Sequence, residues 1–335
     1  MNILVAVDTK ASFFPTFFDK KALDKLKNTG TVYFFDETPT PETIAEKIKG
    51  IDVLITGWGT PAIDENILKN ADKLKYILHT GGTVASLVND AVYDKGITVM
   101  SGNEIYARSV AEGVIAYILS ALRNIPRIEQ SLQLKGQWEN LNNEENHNRS
   151  LIDKTVGIVS FGTISRYLVP LLSAFGVKIL LYSRKTLPDE YKDKYNITQT
   201  DLETLFSSCD IVTVQTAQNP DTLNMINEKH FSLLKDGALF VNTARGGIIN
   251  TASLIKELKT GRISAILDVF NSEPLEKDNP LIGMENVFLM PHMAGPTVDL
   301  RSKVTQTLID CIKKHKSGED VIFIIDRQKA KEMTR

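Results

Sequence analysis

Short apolar runs alternate with segments of helical periodicity along most of the chain. Apolar residues in the runs are nearly continuous, whereas the segments between them repeat apolar positions every three or four residues. Strands that alternate with helices at this spacing predict parallel, doubly wound sheets. The predicted strands are Asn2 to Val7, Thr31 to Phe35, Asp52 to Thr56, Lys75 to His79, Ile97 to Met100, Asp210 to Gln215, Ala238 to Asn242, Ala265 to Phe270 and Asn286 to Met290. The predicted helices include Lys20 to Lys27, Pro41 to Lys49, Asp64 to Ala71, Asp201 to Ser207, Asn227 to Leu234, Thr251 to Lys259 and Thr297 to Lys316.

Three segments depart from this alternation. Asn103 to Arg123 reads as a long helix with apolar residues over much of its surface, which predicts packing against its own domain and a second subunit. Gln137 to Ser150 is polar and without periodicity, so it is predicted to be a surface loop in which His147 is solvated. The charged tail from Asp326 to Arg335 is predicted to be poorly ordered.

The segment Thr155 to Arg184 has the pattern of a strand, a tight turn, a helix and a second strand. Such a unit can bind a dinucleotide, because turn glycines let the backbone approach a pyrophosphate at the helix N-terminus. The glycine pattern is only partly present, since positions 160, 162 and 165 are Ser, Gly and Ser. From the turn alone, a cofactor site and a purely structural unit are equally good interpretations.

Length and composition narrow the class of protein. With 335 residues, 42% hydrophobic and 24% charged, the chain is expected to form two domains. A net charge of −2 argues against a nucleic-acid partner. Cys209 and Cys311 are far apart, which predicts neither a disulfide nor a zinc or other metal site. The N-terminus does not resemble a signal peptide and no apolar run approaches 18 residues, so we expect a cytoplasmic protein with no membrane segment.

Residues with complementary chemistry follow three predicted strands near the end of the chain. Arg245, Glu273 and His292 each come just after a strand, and successive strand ends of a parallel sheet converge on one edge. Arginine holds a carboxylate, histidine exchanges a proton near neutral pH, and a glutamate beside it stabilises the imidazolium. With a nicotinamide beside them, these groups would suit the reduction of a 2-oxo acid. Taken singly, each of the three is more readily explained as a structural residue.

A second loop with a chemical signal lies earlier, at His79-Thr80-Gly81-Gly82-Thr83-Val84 after a predicted strand. Paired glycines leave backbone N–H groups uncovered, which suits a carboxylate. A simple turn explains the same residues equally well.

The stretch VNTARGGIINTASLIKELKTGRISAILDVFNSEP, followed by NVFLMPHMAGPT, closely resembles the D-isomer-specific 2-hydroxyacid dehydrogenases, in particular the glyoxylate, hydroxypyruvate and phosphoglycerate reductase branch. The ARSVAE helix start, Trp138 and Asn219-Pro220-Asp221-Thr222 extend the likeness over nearly the whole chain. The resemblance implies that Arg245, Glu273 and His292 form the active site and that Gly82, Thr83 and Val84 bind the substrate carboxylate. It also implies a homodimer.

The resemblance further implies an α/β fold with two doubly wound parallel-sheet domains. A Rossmann cofactor domain, residues 103–294, is inserted in a flavodoxin-like substrate domain, residues 1–102 and 295–335, with hinges at Gly102-Asn103 and Ala294-Gly295-Pro296. The expected cofactor contacts are Phe161, Gly162, Thr163, Ile164, Ser183, Arg184, Lys185, Thr216, Ala217, Thr222, Thr243, Ala244, Arg245, Asp268, His292 and Gly295.

Two departures from the family pattern bear on the cofactor. Ser160 and Ser165 replace glycines, and because serine is tolerated where φ is negative, we expect binding to survive. After the second strand, Ser183, Arg184 and Lys185 stand where an acid normally accepts the ribose 2′-OH of NAD. Without a carboxylate to repel a 2′-phosphate, NADP(H) is expected over NAD(H). An Arg184 side chain that merely points to solvent is the alternative.

The expected activity is hydride transfer between a nicotinamide cofactor and a small 2-oxo or 2-hydroxy acid, with His292 as general acid and base. One alternative is a nucleotide-sensing binding protein on the same fold without turnover. The other is a relative that acts on a different substrate, such as phosphoglycerate or formate. Loops that contain Trp58-Gly59-Thr60 and Tyr106 are expected to form the side-chain pocket.

Overall fold

The computed structural model describes residues 1–138 and 148–334 and divides into two compact units. The first unit is Met1–Ala107 together with the chain from Pro296 onwards, and the second is Arg108–Gly295. The sequence places the corresponding boundaries after residue 102 and before residue 295. The predicted solvated residue His147 and most of its polar loop lie outside the described residues.

All strands of both units run parallel to their neighbours. The strands are β1 (Asn2–Asp8), β2 (Thr31–Phe35), β3 (Val53–Thr56), β4 (Tyr76–His79), β5 (Thr98–Ser101), β6 (Thr155–Val159), β7 (Lys178–Tyr182), β8 (Ile197–Gln199), β9 (Ile211–Val214), β10 (Leu239–Asn242), β11 (Ser264–Leu267) and β12 (Val287–Leu289). The first unit has the strand order β2-β1-β3-β4-β5, which is the flavodoxin-like order, and the second has β12-β11-β10-β9-β6-β7-β8, an extended Rossmann order. The predicted fold class is thereby confirmed.

Helices connect the strands and cover the sheets. They are α1 (Phe14–Phe17), α2 (Lys20–Thr29), α3 (Pro41–Lys47), α4 (Glu65–Asn70), α5 (Asp90–Asp94), α6 (Asn103–Leu122), α7 (Ile125–Lys135), α8 (Thr163–Ser173), α9 (Asp189–Tyr195), α10 (Leu202–Ser208), α11 (Glu228–Leu233), α12 (Thr251–Leu258), α13 (Val298–Lys316) and α14 (Arg327–Glu332). Helices α1, α5, α7, α9 and α14 are not predicted by the apolar pattern, because they are short or lack a clear apolar period.

Each sheet is covered on both faces, which explains why its strands read as continuous apolar runs. In β1, Leu4 and Ala6 belong to one apolar core of the first unit, whereas Ile3, Val5 and Val7 belong to the other. The second unit likewise has two cores, one on each side of its sheet. Cys209 and Cys311 are buried as free thiols in different units.

The C-terminal tail forms a capped helix and docks on the first unit in its described part, residues 326–334, so the prediction of a poorly ordered segment is wrong there. Asp326 caps α14 by accepting the Lys329 N–H, and Ala330 is buried in the first unit's core. Arg327 forms ion pairs with Asp90 and Asp94. Charged residues dominate the tail sequence because its outer face is paired with the acids of α5, while its few small apolar residues dock inward.

α6 is apolar enough, by length and composition, to cross a membrane, although 33% of its most apolar window is already buried. Among the described residues it is the one helix that passes this test. A core helix of a globular protein passes it equally well, so the observation is weak evidence for a membrane.

Candidate active site

The order of strands in the second unit reverses between β6 and β9. Strands β7 and β8 extend the sheet on one side of this point, and β10, β11 and β12 extend it on the other. In open α/β sheets, the loops that follow two adjacent strands at such a point run in opposite directions. They form a crevice at the carboxyl ends of these strands, and ligands bind there. The loops beginning at Ser160 and Gln215 border this crevice.

The turn after β6 has a strained residue at its start. Ser160 has a φ of 83°, so the expectation of a negative φ, at which serine can replace glycine, is wrong at this position. A side chain in this left-handed region costs roughly 1–3 kcal/mol. The Ser160 carbonyl accepts a hydrogen bond from the Ser165 hydroxyl at 2.7 Å, and Ser165 is fully buried. The two serines that replace glycines are therefore coupled, and the Ser165 hydroxyl is used within the protein.

Gly162 forms the N-cap of α8 and leaves open space at the helix start. No side chain caps this helix, and a β-carbon added at Gly162 would meet no atom within 4 Å. The N–H groups of the first turn, which includes Thr163 and Ile164, suit a phosphate anion because a helix N-terminus carries a partial positive charge. Phe161 packs edge-on against Tyr191, with ring centroids 5.2 Å apart, and so holds the turn. The residues present therefore fit the pyrophosphate of a dinucleotide.

Ser183, Arg184 and Lys185 follow β7, where the sequence predicts a 2′-phosphate site. Gln199 organises this loop by donating to the Ser183 carbonyl at 3.2 Å and to the Lys185 carbonyl at 3.0 Å. The Arg184 side chain is 68% exposed and lies 3.4 Å from the Asp221 carboxylate. The premise that no carboxylate is present at this strand end is therefore wrong. Asp221 approaches from the loop after β9, and neither its role nor that of Gln199 has a signal in the local sequence.

Five further expected cofactor residues lie in the loops after β9 and β10: Thr216, Ala217, Thr222, Thr243 and Ala244. The Thr222 hydroxyl donates to the Ala217 carbonyl at 2.7 Å, which closes the loop after β9. The Gln215 amide donates to the Thr243 hydroxyl at 2.9 Å and joins the two loops. These two hydroxyls shape the crevice, while Thr216 and Ala217 are partly exposed in it.

Arg245, Glu273 and His292 follow three strands that lie side by side, β10, β11 and β12. His292 Nδ1 is 2.7 Å from Glu273 Oε2, and Glu273 Oε1 accepts the Phe270 N–H at 2.9 Å. A β-carbon at Gly246 would lie 2.1 Å from the carbonyl carbon of Phe270, so the backbone beside Arg245 directly abuts the loop that carries Glu273. The structure therefore brings the three predicted residues to one edge of the sheet.

The charges of this group reinforce one another. Burial raises the pKa of Glu273, but the His292 hydrogen bond, the Phe270 N–H and the Arg245 charge outweigh it, so the pKa lies below its ordinary value. Burial lowers the pKa of Arg245, and the Glu273 charge opposes this change. At neutral pH the arginine is cationic and the glutamate anionic. A carboxylate at Nδ1 favours a proton on that nitrogen and leaves Nε2 for exchange with a ligand.

Buried polar groups hold the loops that carry these residues. The fully buried Asn242 donates to the Arg245 carbonyl at 3.0 Å and accepts the Ala244 N–H at 3.1 Å, which shapes the turn before the arginine. Asp268 is 1% exposed and accepts the N–H groups of Met293 and Ala294 at 2.8 and 3.1 Å. The structure shows that Asp268 supports the loop containing His292, and its expected contact with the cofactor stays a prediction.

In the first unit, the loop after β4 combines close packing with unpaired backbone donors. A β-carbon at Gly81 would lie 2.3 Å from the ring of His79, and one at Gly82 would lie 3.2 Å from the ring of Tyr106. Burial lowers the pKa of His79 to about 4, so the ring is neutral. Within residues 1–138 and 148–334, the N–H groups of Gly82, Thr83 and Val84 have no hydrogen-bond partner. These N–H groups could bind a carboxylate.

The same loop contacts the C-terminal tail and lies beside an aromatic cluster. The Thr83 hydroxyl donates to the Thr334 carbonyl at 2.7 Å, and Val84 is fully buried. Near Tyr106, the Arg301 guanidinium lies 5.0 Å from the centre of the Trp58 ring, and its Nε is buried without a hydrogen-bond partner among the described residues. The charge of Arg301 also opposes the rise that burial causes in the Tyr106 pKa.

An open sheet with an uncapped helix start at its switch point defines a dinucleotide-binding α/β protein. Comparison with known proteins narrows this class. Residues 115–294 match the family model described as D-isomer specific 2-hydroxyacid dehydrogenase, NAD binding domain. The chain therefore belongs to the D-isomer-specific 2-hydroxyacid dehydrogenase family, as its signature region predicts.

Individual relatives extend the likeness beyond this domain. The chain is 34% identical over 282 residues to D-3-phosphoglycerate dehydrogenase of Methanocaldococcus jannaschii, a match covering 84% of this chain and 52% of that protein. It is 30% identical over 290 residues to glyoxylate reductase of Thermococcus litoralis, covering 84% of this chain and 86% of the relative. A solved acyclic imino acid reductase in complex with NADPH and D-arginine superposes with a TM-score of 0.79 at 25% identity, covering 97% of this chain and all of that one. The chain thus spans about half the length of the phosphoglycerate dehydrogenase and most of the glyoxylate reductase.

Proposed function

We propose that this protein reduces a small 2-oxo acid, of the glyoxylate or hydroxypyruvate type, to the 2-hydroxy acid with NADP(H) in preference to NAD(H). The observation that carries the proposal is the His292–Glu273 pair at 2.7 Å, set beside Arg245 at the edge of a dinucleotide-binding sheet. The glyoxylate reductase among its relatives supports the substrate class. The overall reaction consumes one 2-oxo acid, one NADPH and one proton.

The nicotinamide cofactor supplies the hydride when bound, and the residues of the chain supply the rest. His292, protonated and paired with Glu273, gives its Nε2 proton to the carbonyl oxygen of the substrate. Arg245 holds the carbonyl and carboxylate oxygens by charge-assisted hydrogen bonds. In the reverse reaction, the oxidation of a 2-hydroxy acid, a neutral His292 accepts the hydroxyl proton of the substrate.

We propose that the loop after β4 in the first unit is a carboxylate-binding loop. The free N–H groups of Gly82, Thr83 and Val84 and the absence of a side chain at Gly82 support this assignment. The cluster of Trp58, Tyr106 and Arg301 in the same unit is proposed to contact the substituent of an acid held on this loop. The buried, unpaired Nε of Arg301 favours a substituent that accepts a hydrogen bond, such as the hydroxyl of hydroxypyruvate.

The proposed cofactor preference depends on Arg184 despite its ion pair with Asp221. Both partners are largely exposed, and a surface pair of this kind contributes roughly 0–1 kcal/mol. A 2′-phosphate carries more charge than a carboxylate, so it can replace Asp221 as the partner of Arg184 at little cost. NADH offers no such group.

The test is NADPH and NADH oxidation, followed at 340 nm, with glyoxylate, hydroxypyruvate and bulkier 2-oxo acids. We expect turnover that is highest with NADPH and one of the small acids, and we expect Glu273→Gln to lower kcat. Cofactor binding is titrated separately in the same samples. Tight NADPH binding without turnover of any 2-oxo acid would instead identify a nucleotide-sensing protein and reject the proposed reaction.

We also propose a homodimer, in which a second copy covers α6 and α7. Ile125 and Leu132 lie seven residues apart on one face of α7 and are 52% and 47% exposed. Leu134 and Trp138 nearby are more exposed still. Size-exclusion chromatography with light-scattering detection tests this assignment. The double variant Leu134→Lys, Trp138→Ser is expected to have the mass of a single chain.

A further inference from the structure

The loop after β12 rests against one face of α6. Ser109, Gly113 and Tyr117 are spaced four residues apart on this helix and therefore lie on the same face. A β-carbon at Gly113 would lie 2.7 Å from the Ala294 carbonyl oxygen, and one at Gly295 would lie 2.9 Å from the Ser109 hydroxyl. The loop and the helix are in direct backbone contact here, and only small residues permit it.

Tyr117 completes this face with a polar contact. Its hydroxyl donates to Asp268 Oδ1 at 3.0 Å. The same carboxylate accepts the N–H groups of Met293 and Ala294, the two residues after His292. Burial raises the pKa of Tyr117, as does the neighbouring Asp268 charge, so the phenol keeps its proton at any working pH. Among the residues that the structure describes, Asp268 therefore has three donors, one from α6 and two from the loop.

His292 itself adopts an uncommon backbone conformation. Its φ is 52°, in the left-handed region that few residues other than glycine adopt, although histidine adopts it more often than most. A loop in this conformation depends on outside contacts to hold it. The hydrogen bonds to Asp268 are such contacts, and they lie directly after the histidine.

We propose that Tyr117 is a positioning residue that acts through Asp268 to hold the imidazole of His292 in place. The proposal rests on the proposed function, since the chemical task of His292 belongs to it. Without the phenol, Asp268 loses one of three donors and is free to turn toward water or another donor. The amides of Met293 and Ala294 then lose a fixed acceptor, and the ring of His292 loses its orientation.

Tyr117→Phe tests this directly, because it removes one oxygen atom and keeps the ring. Hydrogen exchange of the peptide 290–296 is expected to quicken about 5- to 10-fold at the Met293 and Ala294 amides. We expect kcat with the best 2-oxo acid to fall about 10-fold, while KM for the cofactor stays within about 2-fold. Tyr195→Phe, which removes a phenol hydroxyl elsewhere in the same unit, is expected to change neither the exchange of peptide 290–296 nor kcat.

Gly113→Ala is the second variant and covers the case in which Tyr117→Phe folds poorly. Alanine favours the helix by about 1 kcal/mol, but its methyl group would lie only 2.7 Å from the backbone oxygen of Ala294, so the variant is expected to melt below the wild-type temperature. Its methyl group meets the Ala294 carbonyl, so exchange in 290–296 is expected to quicken and kcat to fall. An active enzyme that is more stable and equally fast would overturn the proposal.

Hydrogen exchange and kcat together distinguish a failure of this proposal from a failure of the proposed function. If the wild-type protein turns over no 2-oxo acid, the proposed reaction is rejected. Faster exchange in Tyr117→Phe would then still show that Tyr117 supports the loop through Asp268. Unchanged exchange rejects the role of Tyr117. Faster exchange with an unchanged kcat also rejects it, because the support would then be structural only.

Discussion

Gly162 offers a substitution that separates cofactor binding from the stability of the fold. Its φ of −98° and ψ of −163° are open to any residue, and a β-carbon there meets nothing within 4 Å. Gly162→Ala restricts the unfolded chain, which favours folding by about 0.4–1 kcal/mol. Alanine is a poorer N-cap than glycine by roughly the same amount. The free energy of unfolding is therefore expected to stay within about 1 kcal/mol of wild type.

Cofactor binding is expected to respond very differently. The added methyl group projects into the open space at the start of α8, where a pyrophosphate would approach the N–H groups of the helix N-terminus. Losing one hydrogen bond to a charged group costs about 1.5–3 kcal/mol. At about 1.4 kcal/mol per factor of ten, NADPH should bind about 10- to 150-fold more weakly.

Urea unfolding and calorimetric titration of NADPH measure the two effects on the same samples. Gly176→Ala is the matched control, since Gly176 also has open space around it but a φ of 71°. It is expected to lose about 1 kcal/mol of stability and to keep its cofactor Kd. If Gly162→Ala lowered stability by more than about 2 kcal/mol and left the Kd unchanged, the glycine would serve the fold and the reasoning would be refuted.

Three further predictions address the chemistry, the cofactor and the pH dependence. His292→Ala should lower kcat about 100- to 10,000-fold with NADPH binding retained, and near-normal turnover with any active 2-oxo acid would exclude His292 as the acid. Arg184→Ala should raise KM for NADPH about 3- to 10-fold and leave KM for NADH within about 2-fold, whereas a wild-type preference for NADH would reject the assignment. His79 has a pKa lowered by burial to about 4, against about 6.5 when unfolded, so the stability linked to its neutral form is complete above pH 6.5 and is lost as pH falls toward 4. The free energy of unfolding, measured by urea titration, should fall by about 3 kcal/mol over this pH range. If it fell equally steeply with pH in His79→Gln, the assignment of this loss to His79 would be wrong.

The sequence by itself determined the fold class and the position of the candidate chemistry along the strands. Strands covered on both faces must be apolar at nearly every position, so they stand out against the amphipathic helices between them. Parallel topology then places every strand end on one edge. That is why Arg245, Glu273 and His292, far apart in the chain, could be expected to meet.

Tertiary structure alone decided the features that depend on contacts between residues far apart in the sequence. The positive φ of Ser160, the approach of Asp221 to Arg184 and the docking of the charged tail have no local signal. The contact between Tyr117 and Asp268 spans 151 residues, and neither side chain identifies its partner in the sequence. Local patterns report how each element is buried and where it ends, whereas the partner of a polar side chain is set by the packing of elements that the pattern does not specify.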